Sequence, residues 1–290
     1  MLPAFVMVLL VGAGAAWRAL SGRRVERAYR AAHAIGEAGV VVGAEPFTLE
    51  GSSGRALLLL HGSGDTPQTL RYLGERLSAA GYTVHAELLP GHGRSPREFT
   101  QVSAQRYLVA SRQALETLRA RAPWVGVVGL SMGGALAVQL AAECPEVRVL
   151  VLLAPYLTPP PSVQWVTRLA PVWGLVQPQM AGRGERSVHD PVARDAGHAY
   201  GTFPPRALRA LIETAAAARA ALPRVTAPTL VINSRDDNRI PPALADTATT
   251  SMHAPVERHW VEGCGHVITV DYCRGTVAEL VLDFLARHAT

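Results

Sequence analysis

The 290-residue chain predicts an α/β fold, a mostly parallel central sheet flanked by helices, and three observations carry that reading. From Glu45 onward short apolar runs alternate with helical patterns, as they do when crossover helices link parallel strands. Hydrophobic residues make up 49% of the chain, enough to fill one large core. The third is the stretch from Trp124 to Gly134, W-V-G-V-V-G-L-S-M-G-G. It reads as a buried β-branched strand, a tight turn and then a helix over Ala135–Glu143.

Before that domain, Met1 to Trp17 carries no charged side chain, and Arg18 is followed by Arg23, Arg24, Arg27 and Arg30. Such an apolar run is just long enough to span a bilayer, and its positive charge comes after it instead of before. Residues 1–20 are therefore expected to form an apolar N-terminal helix that anchors the chain in a membrane with the catalytic domain in the cytoplasm. Ala13-Gly14-Ala15 as a cleavage site for export is the alternative. Residues 21–44 read as an Arg- and Ala-rich helical connector, and 45–290 as the catalytic domain.

Within 45–290, Phe47–Glu50 is a first strand and Ala56–Leu60 a central one, ending at His61-Gly62-Ser63-Gly64. Thr69–Ala80 is helical, with Leu70, Leu73 and Leu77 on one face and Gly81 as its cap. Tyr82–Leu88 is a strand leading to a loop over Pro90–Pro96, and a helix over about 103–120 precedes the strand and turn described above. After the strand Val147–Leu153, the pattern breaks down from about 154 to 204 around Pro159, Pro160 and Pro161. An insert of that length without regular patterning is usually functional, and it reads as a small cap over a site. Regularity returns with a helix over Pro205–Leu222, a strand over Thr229–Asn233, a helix from Pro242, a strand over Val256–Glu262 and a last helix from Gly275 to His288.

Composition removes some functions. The formal charge is +5, yet all 28 basic residues are Arg, scattered through the chain with no basic stripe interleaved with aromatics, so nucleic acid is not an expected partner. The cysteines, Cys144, Cys264 and Cys273, are odd in number and lack metal-type spacing. They suggest neither a disulfide framework nor a zinc site, and Cys264 reads as a small packing residue in a protein of a reducing compartment.

The chemistry starts at Gly129-Leu130-Ser131-Met132-Gly133. A Ser on a sharp strand-to-helix turn needs neighbours two residues away that lack bulk, and Gly129 and Gly133 meet that need. The turn holds the hydroxyl at the positive end of the following helix, where developing negative charge is favoured. A nucleophile there requires a carboxylate and then a His, each on a loop after a strand. Asp236-Asp237 follow the strand Thr229–Asn233, and His266 follows Val256–Glu262. His266 is the candidate base and Asp237 the candidate acid, with Asp236 as the alternative. The backbone N–H groups of Met132 and Ser63 are the candidate oxyanion hole. His92 reads as a structural hydrogen-bonder, and His189 and His198 fall in the cap as solvated or substrate-facing groups. Trp165, Leu169, Val172, Trp173, Leu175 and Val176 either line an acyl pocket or pack the cap on the domain.

With these residues in place, the chain from about Glu45 to Thr290 resembles the α/β-hydrolase superfamily. Leu57-Leu58-Leu59-Leu60-His61-Gly62, Gly91-His92-Gly93, Gly129 to Gly134, Arg235-Asp236-Asp237 and Gly265-His266-Val267-Ile268-Thr269-Val270-Asp271 look like the bacterial carboxylesterase and monoacylglycerol lipase family. The resemblance implies an α/β-hydrolase fold and hydrolysis of a small-molecule, lipid-like carboxylic ester, with neither metal nor organic cofactor. It implies Ser131 as nucleophile, Asp237 as acid and His266 as base, in line with the reading of the residues themselves. The N-terminal segment and the Pro-rich cap have no match in that pattern. Peptidase, lactonase or thioesterase chemistry on the same triad, and a non-catalytic membrane-tethered binding protein, are the competing functions.

Overall fold

The computed structural model describes residues 2–177, 179–181 and 187–288, with backbone alone for 2–11, 176 and 181. The chain opens with one continuous helix, α1 (Leu2–Ala32). Its second half lies along the rest of the protein. Arg18 Nη1 donates to the Gly174 carbonyl at 2.7 Å, Tyr29 donates its hydroxyl to the His198 carbonyl at 3.2 Å, and the rings of Tyr29 and Tyr200 lie 4.9 Å apart. Among the described residues no helix is long and apolar enough to cross a membrane. The apolar segment expected over 1–20 rests largely on residues 1–11, whose side chains lie outside the described residues.

Next come β1 (Phe47–Leu49), β2 (Arg55–Leu60), a 3-10 turn over Pro67–Leu70, α2 (Arg71–Ala79), β3 (Thr83–Glu87), α3 (Pro96–Phe99) and α4 (Ala104–Arg119). After these stand β4 (Trp124–Leu130), α5 (Met132–Glu143) and β5 (Val147–Leu153). The insertion then supplies α6 (Pro161–Arg168), α7 (Ala170–Val176), β6 (Met180–Ala181), α8 (Pro191–Asp195) and β7 (Thr202–Phe203). The chain closes with α9 (Pro205–Ala221), β8 (Thr229–Ser234), α10 (Pro242–Thr247), β9 (Val256–Val261) and α11 (Arg274–His288).

Among the described residues the main sheet has seven strands in the order β1-β3-β2-β4-β5-β8-β9. All neighbours are parallel except the edge strand β1, which runs antiparallel to β3. Both faces are covered. Leu57 and Leu59 of β2 join Leu73, Leu77, Val128 and Phe284 on one side, while Leu58 and Leu60 join Leu115, Val127, Leu136 and Ala215 on the other. That two-sided burial is why the central strands β2, β4 and β5 are nearly continuous apolar runs, while β3 and the edge strand β9 carry polar residues. The order grows outward in both directions from β2 and β4, so their carboxyl ends flank the topological switch point, where open α/β sheets place ligands.

The insertion differs from the expectation of a structureless segment, since its described residues hold three helices and a two-strand ribbon, β6 with β7. Short proline-started helices without a long apolar stripe leave little periodicity to read. Four of its large apolar residues play neither expected part. Trp165 is 62% exposed and Val172 66%, with Leu169 and Leu175 also exposed. Trp173 is half-buried and donates its indole N–H to the Val166 carbonyl at 2.7 Å, and the side chain of Val176 is outside the described residues.

Candidate active site

At the end of β4 the chain reverses so sharply that Ser131 takes φ 54° and ψ −115°, a conformation that L-residues seldom adopt. The turn is held by the Ser131 N–H donating to the Leu153 carbonyl at 2.9 Å. A Cβ on Gly129 would fall 2.3 Å from the Gly133 carbonyl oxygen, and one on Gly133 2.0 Å from that of Leu60. Neither position has room for a side chain. The helix α5 starts at Met132, so the Ser131 hydroxyl stands at its N-terminal end.

Three side chains that sequence reasoning singled out meet here. His266 Nε2 lies 2.8 Å from Ser131 Oγ, and His266 Nδ1 lies 2.7 Å from Asp237 Oδ2. All three residues are buried. The other oxygen of Asp237 accepts the N–H groups of Arg239 at 2.6 Å and Ile240 at 2.9 Å. Burial would raise the Asp237 carboxyl, but the His266 charge and these hydrogen bonds outweigh it and hold the group below the ordinary carboxylate value. Asp236 points away. Its carboxylate accepts the Gly263 N–H at 2.8 Å and so stitches the loop after β8 to the loop after β9.

The His266 loop is fixed by groups to which the sequence reading gave no such role. The Asp271 carboxylate accepts N–H groups from Gly265 at 2.7 Å, His189 at 2.8 Å, and Asp190 and Tyr272 at 2.9 Å. Burial works against its charge, and the four hydrogen bonds still hold its carboxyl below the usual range. Ser234 donates its hydroxyl to the Cys264 carbonyl from β8. Cys264 and Cys273 form a disulfide, with Cα atoms 5.9 Å apart, closing a short loop around His266. This corrects the reading of Cys264 as a packing residue and of the cysteines as unpaired. Nine residues of separation gave no framework pattern, and only the turn through Val267–Asp271 brings the two together. His189 is tied to this loop through its backbone.

Opposite Ser131, the loop after β2 carries Ser63, whose residue lines the same cavity as Ser131 and His266. Two neutral histidines brace it. His61 Nδ1 donates to the Gly62 carbonyl at 2.8 Å and its Nε2 accepts the Leu89 N–H at 3.1 Å. His92 Nδ1 donates to the Pro90 carbonyl at 3.1 Å and its Nε2 accepts the Gly64 N–H at 2.9 Å. Burial drives His61 down to about 4 and His92 well below its ordinary value, so each keeps the tautomer that these contacts require. His92 is thus a structural hydrogen-bonder, and His61 is a second one that sequence reasoning did not separate from the loop motif.

The cavity over Ser131 measures about 830 Å³. One wall is apolar, with Val163 and Val166 of α6 beside Leu208 and Leu211 of α9. The other is polar, with Ser63, Asp65, Gln68 and Thr202. Among the described residues no three His, Cys, Asp or Glu side chains cluster in a way that would hold a metal ion.

A strained Ser within reach of a His–carboxylate pair, at the switch point of a parallel sheet, can carry out acyl transfer. Residues 51–272 match the family model described as serine aminopeptidase, S33. The chain belongs to this hydrolase family. The chain is 30% identical over 253 residues to the thermostable monoacylglycerol lipase of Bacillus sp. (strain H-257), covering 86% of this chain and 97% of that protein. It is 26% identical over 249 residues to the carboxylesterase of Bacillus subtilis (strain 168), covering 85% and 98%. Among solved structures, one from a description of the metagenome-derived lipolytic enzymes LipS and LipT aligns with a TM-score of 0.77 at 30% identity, over 85% of this chain and 98% of that one. The fold is that of an α/β-hydrolase.

Proposed function

We propose that this S33-family protein is a serine hydrolase that cleaves carboxylic esters, with lipid-like acyl esters as substrates. The observation that carries the reading is the chain of contacts from Ser131 Oγ through His266 to Asp237, 2.8 Å and 2.7 Å long. His266 takes the Ser131 proton as Oγ attacks the ester carbon, and Asp237 holds the ring and offsets its charge. The N–H groups of Met132 and Ser63 receive the negative oxygen of the tetrahedral intermediate. When the C–O bond breaks, His266 returns its proton to the departing alcohol, leaving an acyl-Ser131 that water then hydrolyses by the same route. The names of the relatives, a monoacylglycerol lipase and a carboxylesterase, support an ester as the bond cleaved.

In this reading the insertion over 154–204 is a cap. The exposed Trp165, Leu169, Val172 and Leu175, beside Trp17 and Leu20 of α1, support contact with a lipid surface, and the apolar start of the chain extends the same character. Hydrolysis of p-nitrophenyl esters with a burst, and labelling of Ser131 by a fluorophosphonate, test the proposal. Folded protein that gives neither, or a Ser131→Ala variant that keeps both, would refute it. The family description favours one second reading, an aminopeptidase, and turnover of amino-acid p-nitroanilides above that of esters would select it.

A further inference from the structure

The polar wall of the cavity is built for a purpose that the acyl chain does not explain. The Ser63 hydroxyl, the Gln68 amide oxygen and the Thr202 hydroxyl are buried and find no hydrogen-bond partner among the described residues. Leaving such atoms unpaired is costly unless something else completes them. They stand on two segments sewn together, for Tyr200 N–H donates to the Gly64 carbonyl at 3.0 Å and Gln68 Nε2 to the Ala196 carbonyl at 3.1 Å. Between Ser63 and Gln68 sits Asp65, partly buried in the wall, with one oxygen accepting the Thr66 N–H at 2.9 Å. The Ser131–His266–Asp237 relay described above makes no use of it.

We propose that Asp65, with Ser63, Gln68 and Thr202, forms the subsite for the alcohol half of the ester, taking uncharged alcohols that carry free hydroxyl groups and rejecting alcohols that carry a carboxylate. The assignment rests on the esterase reading above. A leaving oxygen has to receive its proton from His266, so the alcohol lies on the His266 side of Ser131. Asp65 shares the cavity with His266 and feels its charge. Hydroxyl groups give Asp65 and the Gln68 oxygen the donors they lack and complete Ser63 and Thr202. Arg194 and Arg239 line the cavity too, but Arg194 pairs with Asp195 and Arg239 donates to Ser187, so a carboxylate seated between Ser63 and Gln68 would face Asp65, where opposed like charges are poorly screened. Burial pushes the Asp65 carboxyl up to about 7, so it is charged under the mildly alkaline conditions of an esterase assay.

Three octanoyl esters, of glycerol, methanol and glycolate, compared at pH 8 test the assignment. All give the same octanoyl-Ser131, so kcat/KM compares only the step in which the alcohol is present. In the wild type the glycerol ester should exceed the methyl ester, and the glycolate ester fall below it, each by about tenfold. Asp65→Asn should raise the glycolate-to-methyl ratio by roughly tenfold and lower the glycerol-to-methyl ratio. Gln68→Ala, which removes a hydrogen-bond partner and no charge, should lower only the glycerol ratio. Thermal melting checks that each variant folds. If Asp65→Asn does not, the wild type still decides, because hydrolysis of the glycolate ester on a par with the methyl ester overturns the assignment. An active wild type whose ratios Asp65→Asn leaves unchanged overturns it as well, with the esterase reading intact. A folded wild type inert to all three esters refutes the esterase reading and this subsite with it.

Discussion

A Cβ at Gly133 would lie 2.0 Å from the carbonyl oxygen of Leu60, so the helix that follows Ser131 is pressed against the strand carrying the Ser63 loop. The obstacle is backbone, which cannot swing aside as a side chain would. Gly133→Ala should therefore push the Ser131 turn and the Ser63 loop apart, lowering the unfolding free energy by about 3 kcal/mol. Urea unfolding measures the loss, and ester hydrolysis should fall with it even where the variant remains folded.

The two neighbouring acids after β8 should separate cleanly. Asp237→Asn keeps the shape but offers His266 the wrong partner, and kcat for a p-nitrophenyl ester should drop by about 10⁴-fold. Asp236→Asn disturbs only the bond to Gly263 and should stay within a few-fold of wild type. A reversed order would reassign the acid.

The Cys264–Cys273 bridge, nine positions apart in sequence, encloses His266. By loop-closure entropy it contributes about 2–3 kcal/mol. The double variant Cys264→Ala/Cys273→Ala should lose that much unfolding free energy in urea and melt at a lower temperature, and its activity should fall further than its stability, since the base sits inside the loosened loop. A variant with unchanged melting and activity would show the bridge to be idle.

The stability of the fold should depend on pH through His61. Its folded value of about 4 lies below the ordinary 6.5, so between these the unfolded chain binds a proton that the folded protein refuses. Stability is then fully present above about 6.5 and is lost as pH falls toward 4. By pH 5 the loss from this residue is on the order of 2 kcal/mol. Urea midpoints taken from pH 7.5 down to 5 should decline, and His61→Gln should show the shallower decline.

Much of this site was legible because its chemistry dictates local sequence. The glycines at 129 and 133 are demanded by backbone contacts two residues from Ser131, and such demands leave a short motif. Asp237 and His266 each follow a strand, the apolar Thr229–Ser234 and the mixed Val256–Val261, so their place in the fold could be read from the strands. What escaped depends on distant pairings. Asp271 serves four backbone N–H groups from two segments, Cys264 meets Cys273 only through a turn, and Asp65 earns attention only when the cavity wall is seen. The insertion escaped for another reason, since its helices are short and Trp165, Leu169, Val172 and Leu175 face outward while Val163 and Val166 face the cavity, leaving no single stripe to read.

The two walls of the cavity come from different stretches of the chain, α6 with α9 for the apolar side and the loop over 62–69 with Thr202 for the polar side. Each wall can therefore be rewritten by substitution without disturbing the other. Libraries randomised at Val163 and Val166 should retune the length of fatty acid accepted, those at Asp65 and Gln68 the headgroup released, and a combinatorial cross of the two should yield independent selectivities from a single scaffold.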